Sequence, residues 1–255
     1  CLTSSDLKNT NMDDAKPVLF HWDSKGKAFI PRLLLSAAGI PYEMVRLGVD
    51  RDFATEVKPH TPFGQAPFLT HGSLKIGQSG AISRYISKIG GLSGGSDGDF
   101  ATSEMLLCEA DDILAILSAA KYRNGNTAEA WDEALEEELP PHYANLERLL
   151  RPQNPFFTSV GPCAGDIAIF GVLNIIMDLD PKLITQFPLL NSFYSIVMSL
   201  PSVQGLLASG LPIYYTRTAH AAPESEPEVP QKSQSSMPIS DYGIGISGRR
   251  IMQEP

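Results

Sequence analysis

Apolar residues follow two rhythms along this chain, and the change between them falls near residue 90. Before it the apolar runs are short and strand-like, interrupted by single helical stretches; after it they recur at i, i+3, i+4 spacing. Val18 to Trp22 predicts a first strand, Ala28 to Ala38 a helix closed by Gly39, and Tyr42 to Leu47 a second strand. Pro31 falls in the early turns of that helix, where its missing N–H costs little. A polar segment, Asp50 to Lys58, leads to two further strands, Phe63 to Thr70 and Leu74 to Gly77, and to a helix from Gly80 to Lys88. A β-α-β unit followed by a β-β-α unit predicts a four-stranded mixed sheet with helices packed on it.

Gly90 to Gly98, GGLSGGSDG, reads as a linker, and beyond it the chain is wholly helical. Helices are predicted over Phe100 to Tyr122, Thr127 to Leu150, Ala164 to Leu179, Lys182 to Leu200 and Ser202 to Ser209. Pro140-Pro141 is expected to break or kink the second of these after Leu139. Trp131, Leu135, Tyr143, Leu146 and Leu150 face the core in this reading, and Glu136, Glu137 and Glu138 form a solvated face. The organisation is therefore a polar leader at 1–16, an α/β domain at 17–89, the linker at 90–98, an all-helical domain at 99–217, and a tail at 218–255. That tail is rich in proline and polar residues, a composition that builds no core of its own and suits disorder or docking to a partner.

The chain has 255 residues, 43% of them hydrophobic, enough for a well-buried core. A net charge of -9 with no basic cluster argues against a nucleic-acid binder and for small-molecule or protein partners. No apolar run is long enough to span a bilayer, and the first residues lack the apolar core of a secretory signal. A start at Cys1 in place of Met implies processing or a fragment, so the expected location is the cytoplasm or an organelle after removal of a targeting segment. Cys1, Cys108 and Cys163 form an odd, scattered set with no CxxC, which indicates neither a disulfide framework nor a zinc site. Cys108 lies on an apolar helical face and reads as core.

The stretch Thr61 to Ile86, TPFGQAPFLTHGSLKIGQSGAISRYI, carries the chemistry. Pro67 sits inside a strand-like run, and because proline cannot donate to a ladder it needs an edge, a bulge or a cis bond. A cis bond turns the backbone of Ala66 outward and frees its N–H and C=O for an extended ligand. Gln78 and Ser79 lie where the next helix begins, and the first N–H groups of a helix lack partners and carry partial positive charge, a seat for a carboxylate. Taken singly, Pro67 merely ends an edge strand and Ser79 merely caps a helix.

These motifs, with SKGKAFIPRLLLSAAGIPYE near the start, LPPHYANLERLL in the helical half and GPCAGDIAIFGVL ahead of an apolar helix, resemble the glutathione S-transferases, most closely the sigma-like branch. The resemblance covers about residues 16–217. It implies a thioredoxin-like domain followed by an all-α bundle, with glutathione as co-substrate. It places Gln65, the Ala66 backbone and the cis proline Pro67 against the peptide part of glutathione, and Gln78 and Ser79 at its γ-glutamyl end. Lys58 matches a basic position for the glycine carboxylate, and Lys27 a basic position in the first loop where the branch has arginine, although an exposed loop lysine is more often simply solvated.

His21 falls where the family has the catalytic tyrosine, whose hydroxyl stabilises the glutathione thiolate. A histidine N–H can donate the same bond, and the competing reading is a structural histidine in a site without chemistry. Ser24 is the fallback donor, against its ordinary use as a turn residue. Cys163 stands where a serine or threonine caps the buried helix, with Asp166 as reciprocal partner; cysteine is a weak acceptor, so the box is expected half formed, at about 1 kcal/mol. Met105 and Tyr122 are candidates for an acceptor pocket, or else core. Two functions follow: a transferase that adds glutathione to a small apolar electrophile or uses it for isomerisation, and a non-catalytic subunit docking through its tail. The family implies a homodimer or a larger assembly.

Overall fold

The computed structural model describes residues 15–216, and the 218–255 tail, like most of the 1–16 leader, lies outside the described residues. Two compact units emerge, one containing residues 15–21 and 42–78, the other residues 22–41 and 79–216.

The first unit is a four-stranded sheet in the order β2-β1-β3-β4, from Glu43–Arg46 (β2), Val18–His21 (β1), Phe68–His71 (β3) and Leu74–Gly77 (β4). β1 runs parallel to β2, Val18 opposite Glu43 and His21 opposite Arg46. β3 is antiparallel to both β1 and β4. Strand alternation sends Val18 and Phe20 to one face, where they meet Val45, Leu47, Val57 and Phe68. The Phe20 and Phe68 rings lie 5.1 Å apart at 33°. Leu19 and His21 point to the other face and are also buried.

The third strand is shorter than its apolar run predicts. Phe63 to Pro67 stays outside the ladder and pairing begins only at Phe68. The physical reason is in the backbone: Gly64 has φ +65°, outside the strand region, and Pro67 has no N–H to donate to a ladder; the Ala66–Pro67 bond is cis. The polar segment before it is likewise not featureless. Asp52 Oδ1 accepts from the Thr55 N–H at 2.8 Å and starts a π-helical turn, Phe53–Val57, which runs into a 3-10 turn, Lys58–His60.

The second unit is helical: α1 (Phe29–Ala37), α2 (Ser79–Ile89), α3 (Asp97–Ser118), α4 (Ala128–Asp132), α5 (Leu139–Leu149), α6 (Ala164–Leu179), α7 (Pro188–Met198) and α8 (Pro201–Leu207). Its axis is α6, buried without interruption from Ala164 to Ile176 because its sequence is apolar on every side. Glycines let neighbours approach: a Cβ on Gly165 would lie 2.6 Å from the Ser103 carbonyl oxygen of α3. Asp166, fully buried, accepts from the Cys163 N–H at 2.9 Å, the Phe157 N–H at 2.8 Å and the Thr158 hydroxyl at 2.6 Å. The aspartate half of the capping box is thus in place. Burial pushes the Asp166 carboxyl above its ordinary value, against the pull of these donors.

Four helical expectations are corrected. α3 begins inside the glycine-rich stretch, because Ser96 caps it by accepting from the Asp99 N–H at 3.1 Å. Pro140 and Pro141 do not break the chain's helical course: they occupy the first turn of α5, where no intrahelical donor is needed, after a π-helical turn at Glu133–Glu138. α7 starts at Pro188, not Lys182, since Asp180 Oδ1 takes the Lys182 N–H at 2.8 Å and holds a turn there. Cys108 is exposed, not core, and its sulfur accepts from Arg84 Nη2 at 3.1 Å. Trp131, Leu135, Tyr143, Leu146 and Leu150 are buried as their spacing predicts, and Glu136 to Glu138 are exposed.

Candidate functional site

In the sheet unit, the kink ahead of β3 and the turn after β4 come together. A Cβ on Gly77 would meet the Phe63 ring at 3.1 Å, which fixes the Phe63 loop beside the end of β4. Gln78, next in the chain, has φ +69° and is exposed; its Nε2 donates to Gln65 Oε1 at 3.4 Å. Gln65 is exposed, Ala66 half-buried and Pro67 buried, so the two amides stand proud of a firm base. Lys58 completes the ledge. Its stem runs past Gly64, with Cε 3.5 Å from where a Cβ there would sit, and its ammonium has no carboxylate partner among the described residues. Two exposed amides and a cation on one backbone shelf suit an extended, acidic, peptide-like ligand.

His21 closes β1. It is 5% exposed, and its carbonyl accepts from the Leu47 N–H at 3.0 Å, which fixes the backbone where the strand ends.

In the helical unit, Ser79 is half-buried and opens α2. Against that first turn lies Asp111 of α3, its Oδ2 2.8 Å from a Cβ position on Gly80. Burial raises the Asp111 carboxyl above its ordinary value, and the Arg84 and Lys27 charges pull it back. Asp111 was not singled out from sequence. The available signal was its place three residues after Cys108 and seven after Glu104, on the α3 face that Arg84 meets through Glu104 at 2.6 Å.

The turn after β1 is also in this unit and is tied at several points. Arg32 Nη1 reaches Asp23 Oδ1 at 3.0 Å, Lys25 Nζ reaches Asp178 Oδ2 at 2.6 Å, and the Lys25 N–H donates to the Pro212 carbonyl at 3.0 Å. Within the turn, Ser24 is 7% exposed and its hydroxyl has no hydrogen-bond partner among the described residues. Lys27 is exposed.

Met105 and Tyr122 lie toward opposite ends of α3. At ~1.5 Å per residue the helix puts them ~25 Å apart. Met105 borders a recess at the start of α3, whereas Tyr122 sits past its other end with its ring 6.3 Å from that of Tyr214. Lys121, beside it, donates to the Tyr214 carbonyl and lies 4.0 Å from the Tyr214 ring centroid. Burial holds the Lys121 ammonium below its ordinary value. Among the described residues there is no cluster of potential metal ligands, and no helix is long and apolar enough to cross a membrane.

Known proteins bear out the class that this fold defines. Sequence models of the glutathione S-transferase N-terminal domain and C-terminal domain match residues 16–88 and 111–210. A glutathione S-transferase of Plasmodium falciparum is 30% identical over 205 residues, covering 75% of this chain and 95% of that protein. The solved Pi-class glutathione S-transferase of Onchocerca volvulus superposes with a TM-score of 0.71 at 26% identity, over 78% of this chain and 97% of that one. A hematopoietic prostaglandin D synthase of Gallus gallus is 31% identical over 133 residues, 52% of this chain and 65% of that protein. The chain belongs to the glutathione S-transferase family, transferases that use glutathione as co-substrate.

Proposed function

We propose that this protein binds glutathione along the shelf of Gln65, Ala66 and Pro67 and adds its sulfur to a small apolar electrophile. The carrying observation is the shelf itself: the Gln65–Gln78 amide pair and the partnerless Lys58 ammonium gathered on one kinked backbone. Lys58 takes the glycine carboxylate, with Lys27 as a second cation. Gln78 and Ser79 take the γ-glutamyl carboxylate. In transfer, the thiol proton leaves to solvent, the thiolate forms a bond to the electrophilic carbon, and the leaving group departs with its electron pair.

His21, at the end of β1, is the donor that steadies the thiolate in this reading. A second reading assigns that bond to Ser24, and the observation favouring it is the buried hydroxyl that has no partner among the described residues. Glutathione-dependent isomerisation stands beside transfer as a reaction drawn from the same thiolate. A homodimer is the expected assembly.

Calorimetric titration of glutathione, paired with conjugation of 1-chloro-2,4-dinitrobenzene, tests this for wild type, His21→Ala, His21→Tyr and Ser24→Ala. Binding and turnover in wild type are expected, with turnover cut about a hundredfold in whichever variant loses the thiolate donor while glutathione affinity holds. Binding without wild-type turnover, with turnover appearing in His21→Tyr, would mean a non-catalytic binding subunit. Absence of glutathione binding would remove the shelf as its site.

A further inference from the structure

Between α3 and α4 the chain passes through a π-helical turn, Ala119–Arg123, and then the tripeptide Asn124-Gly125-Asn126. Asn124 and Gly125 are exposed, and they form the only Asn-Gly pair in the 255-residue sequence. None of the residues assigned to glutathione lies there.

Asparagine is thermolabile because the next amide nitrogen attacks its side chain wherever that nitrogen is free to reach it. Here the flanking amides are held: the Asn124 N–H donates to the Ala119 carbonyl at 2.9 Å and the Asn126 N–H to the Ala120 carbonyl at 3.0 Å. Between them, neither the Gly125 N–H nor the Asn124 side chain has a hydrogen-bond partner among the described residues. Gly125 has no side chain to shield its nitrogen, and a Cβ there would meet nothing closer than Thr127 Cγ2 at 3.7 Å. Asn124 caps the turn with ψ 18°, and rotating ψ brings the Gly125 nitrogen toward the side-chain carbon without breaking a bond of that peptide. Other asparagines lack this freedom. Asn145, Asn174 and Asn191 stand inside α5, α6 and α7, where the following N–H belongs to the helix ladder. Pro155 leaves Asn154 no N–H to react with, and β-branched Thr127 crowds the nitrogen after Asn126.

The residues next to the pair hold the corner together. Asn126 Oδ1 accepts from Trp131 Nε1 at 2.8 Å, and the Thr127 hydroxyl caps α4 by accepting from the Ala130 N–H at 3.2 Å. Trp131 is fully buried, its ring edge-on to Tyr215 at 6.5 Å.

We propose that Asn124-Gly125 is a self-modifying site whose product loosens this corner. The Gly125 nitrogen loses its proton to solvent and bonds to the Asn124 side-chain carbon. The amide C–N bond there breaks, its electron pair leaves with the nitrogen, and a proton from solvent completes ammonia. Water then adds to one of the two carbonyl carbons of the resulting succinimide and breaks that carbon's bond to nitrogen. Opening at the side-chain carbon gives aspartate, and opening at the backbone carbon gives isoaspartate. One water is consumed, one ammonia is released, and nothing is oxidised. Aspartate adds only a charge. Isoaspartate routes the main chain through the former side chain and lengthens it by a methylene, so Asn126 no longer reaches Ala120 and Trp131 together.

The test incubates the folded full chain at mildly alkaline pH and follows the Asn124 peptide by its amide-to-acid mass gain. Isoaspartate is read as methyl transfer from S-adenosylmethionine by an isoaspartyl methyltransferase, with peptide mapping to separate this site from Asp97-Gly98. Asn124 should convert about tenfold or more faster than any other asparagine, and within about tenfold of its rate in the urea-unfolded chain. Aged wild type should show a lowered Tm and a red-shifted tryptophan emission. Asn124→Asp, with the charge on an unaltered backbone, should match fresh wild type, and Asn124→Gln should age with neither change. A folded chain that does not convert at Asn124, or that converts equally fast at another asparagine, would overturn the proposal. So would aged protein indistinguishable from Asn124→Asp in Tm and emission.

Discussion

Replacing Asp166 by alanine removes an acceptor on which three donors depend: the buried Cys163 N–H and Thr158 hydroxyl and the half-buried Phe157 N–H. A buried donor left unpaired costs about 1–3 kcal/mol, so three cost about 3–9 at face value. Two effects bring this down. The Thr158 hydroxyl can rotate toward another acceptor, and the raised Asp166 carboxyl shows that burying its charge already costs the fold something that alanine recovers. A net loss of about 3 kcal/mol is expected, a large share of a typical ~5–15 kcal/mol total. Asp166→Asn keeps one acceptor oxygen and should lose about half as much.

Urea unfolding followed by tryptophan fluorescence reads this directly. With a slope of ~3 kcal/mol per molar, alanine should lower the midpoint by about 1 M. The pH dependence has a defined sign. Because the folded carboxyl holds its proton to higher pH than the unfolded one, its contribution is full below the ordinary aspartate value and declines as pH rises through the raised one. The gap between wild type and Asp166→Ala should therefore widen on acidification toward pH ~4. An alanine midpoint within ~0.3 M of wild type would refute the capping account.

Gly165→Ala pushes a methyl to 2.6 Å from the Ser103 carbonyl oxygen, so α3 and α6 must separate; a loss of about 1–3 kcal/mol is expected as a lowered Tm, and an unchanged Tm would contradict the close approach. Lys58→Ala should raise the glutathione Kd about two- to fivefold, the scale of one exposed charge contact, without altering thermal unfolding. Gln78→Gly suits the φ of +69° and should leave stability within ~0.5 kcal/mol while weakening glutathione binding, whereas Gln78→Val should lower stability by about 1–2 kcal/mol.

The fold was legible where one residue type leaves little choice. The i, i+3, i+4 spacing marked α6 to its exact ends, and the strand expected at Leu74 to Gly77 is the β4 that forms. Errors fell where a side chain outbids periodicity locally. Asp180 captures the Lys182 N–H and delays α7, Ser96 starts α3 within glycine-rich sequence, and Pro140 tolerates the helix because it stands in a first turn. Cys108 went wrong for a different reason: the α3 face it occupies is filled by Arg84, an ion-pairing partner distant in sequence. The kink at Pro67 and the turn at Gln78 were readable because proline and a helix start carry their own backbone rules, whereas Gln65 entered only through the family resemblance.

The turn after β1 illustrates how far such dependence reaches. Lys25 is bound to Asp178, 153 residues away, and to the carbonyl of Pro212 near the end of the described chain. As the polypeptide leaves the ribosome, residues near its start can form local structure early, but these two ties cannot exist until almost all the helical sequence has emerged. The turn that holds Ser24 and Lys27 is thereby among the last parts of the amino-terminal region to be secured. A chain stalled or cleaved short of Asp178 would keep the Arg32–Asp23 pair but neither of these two ties.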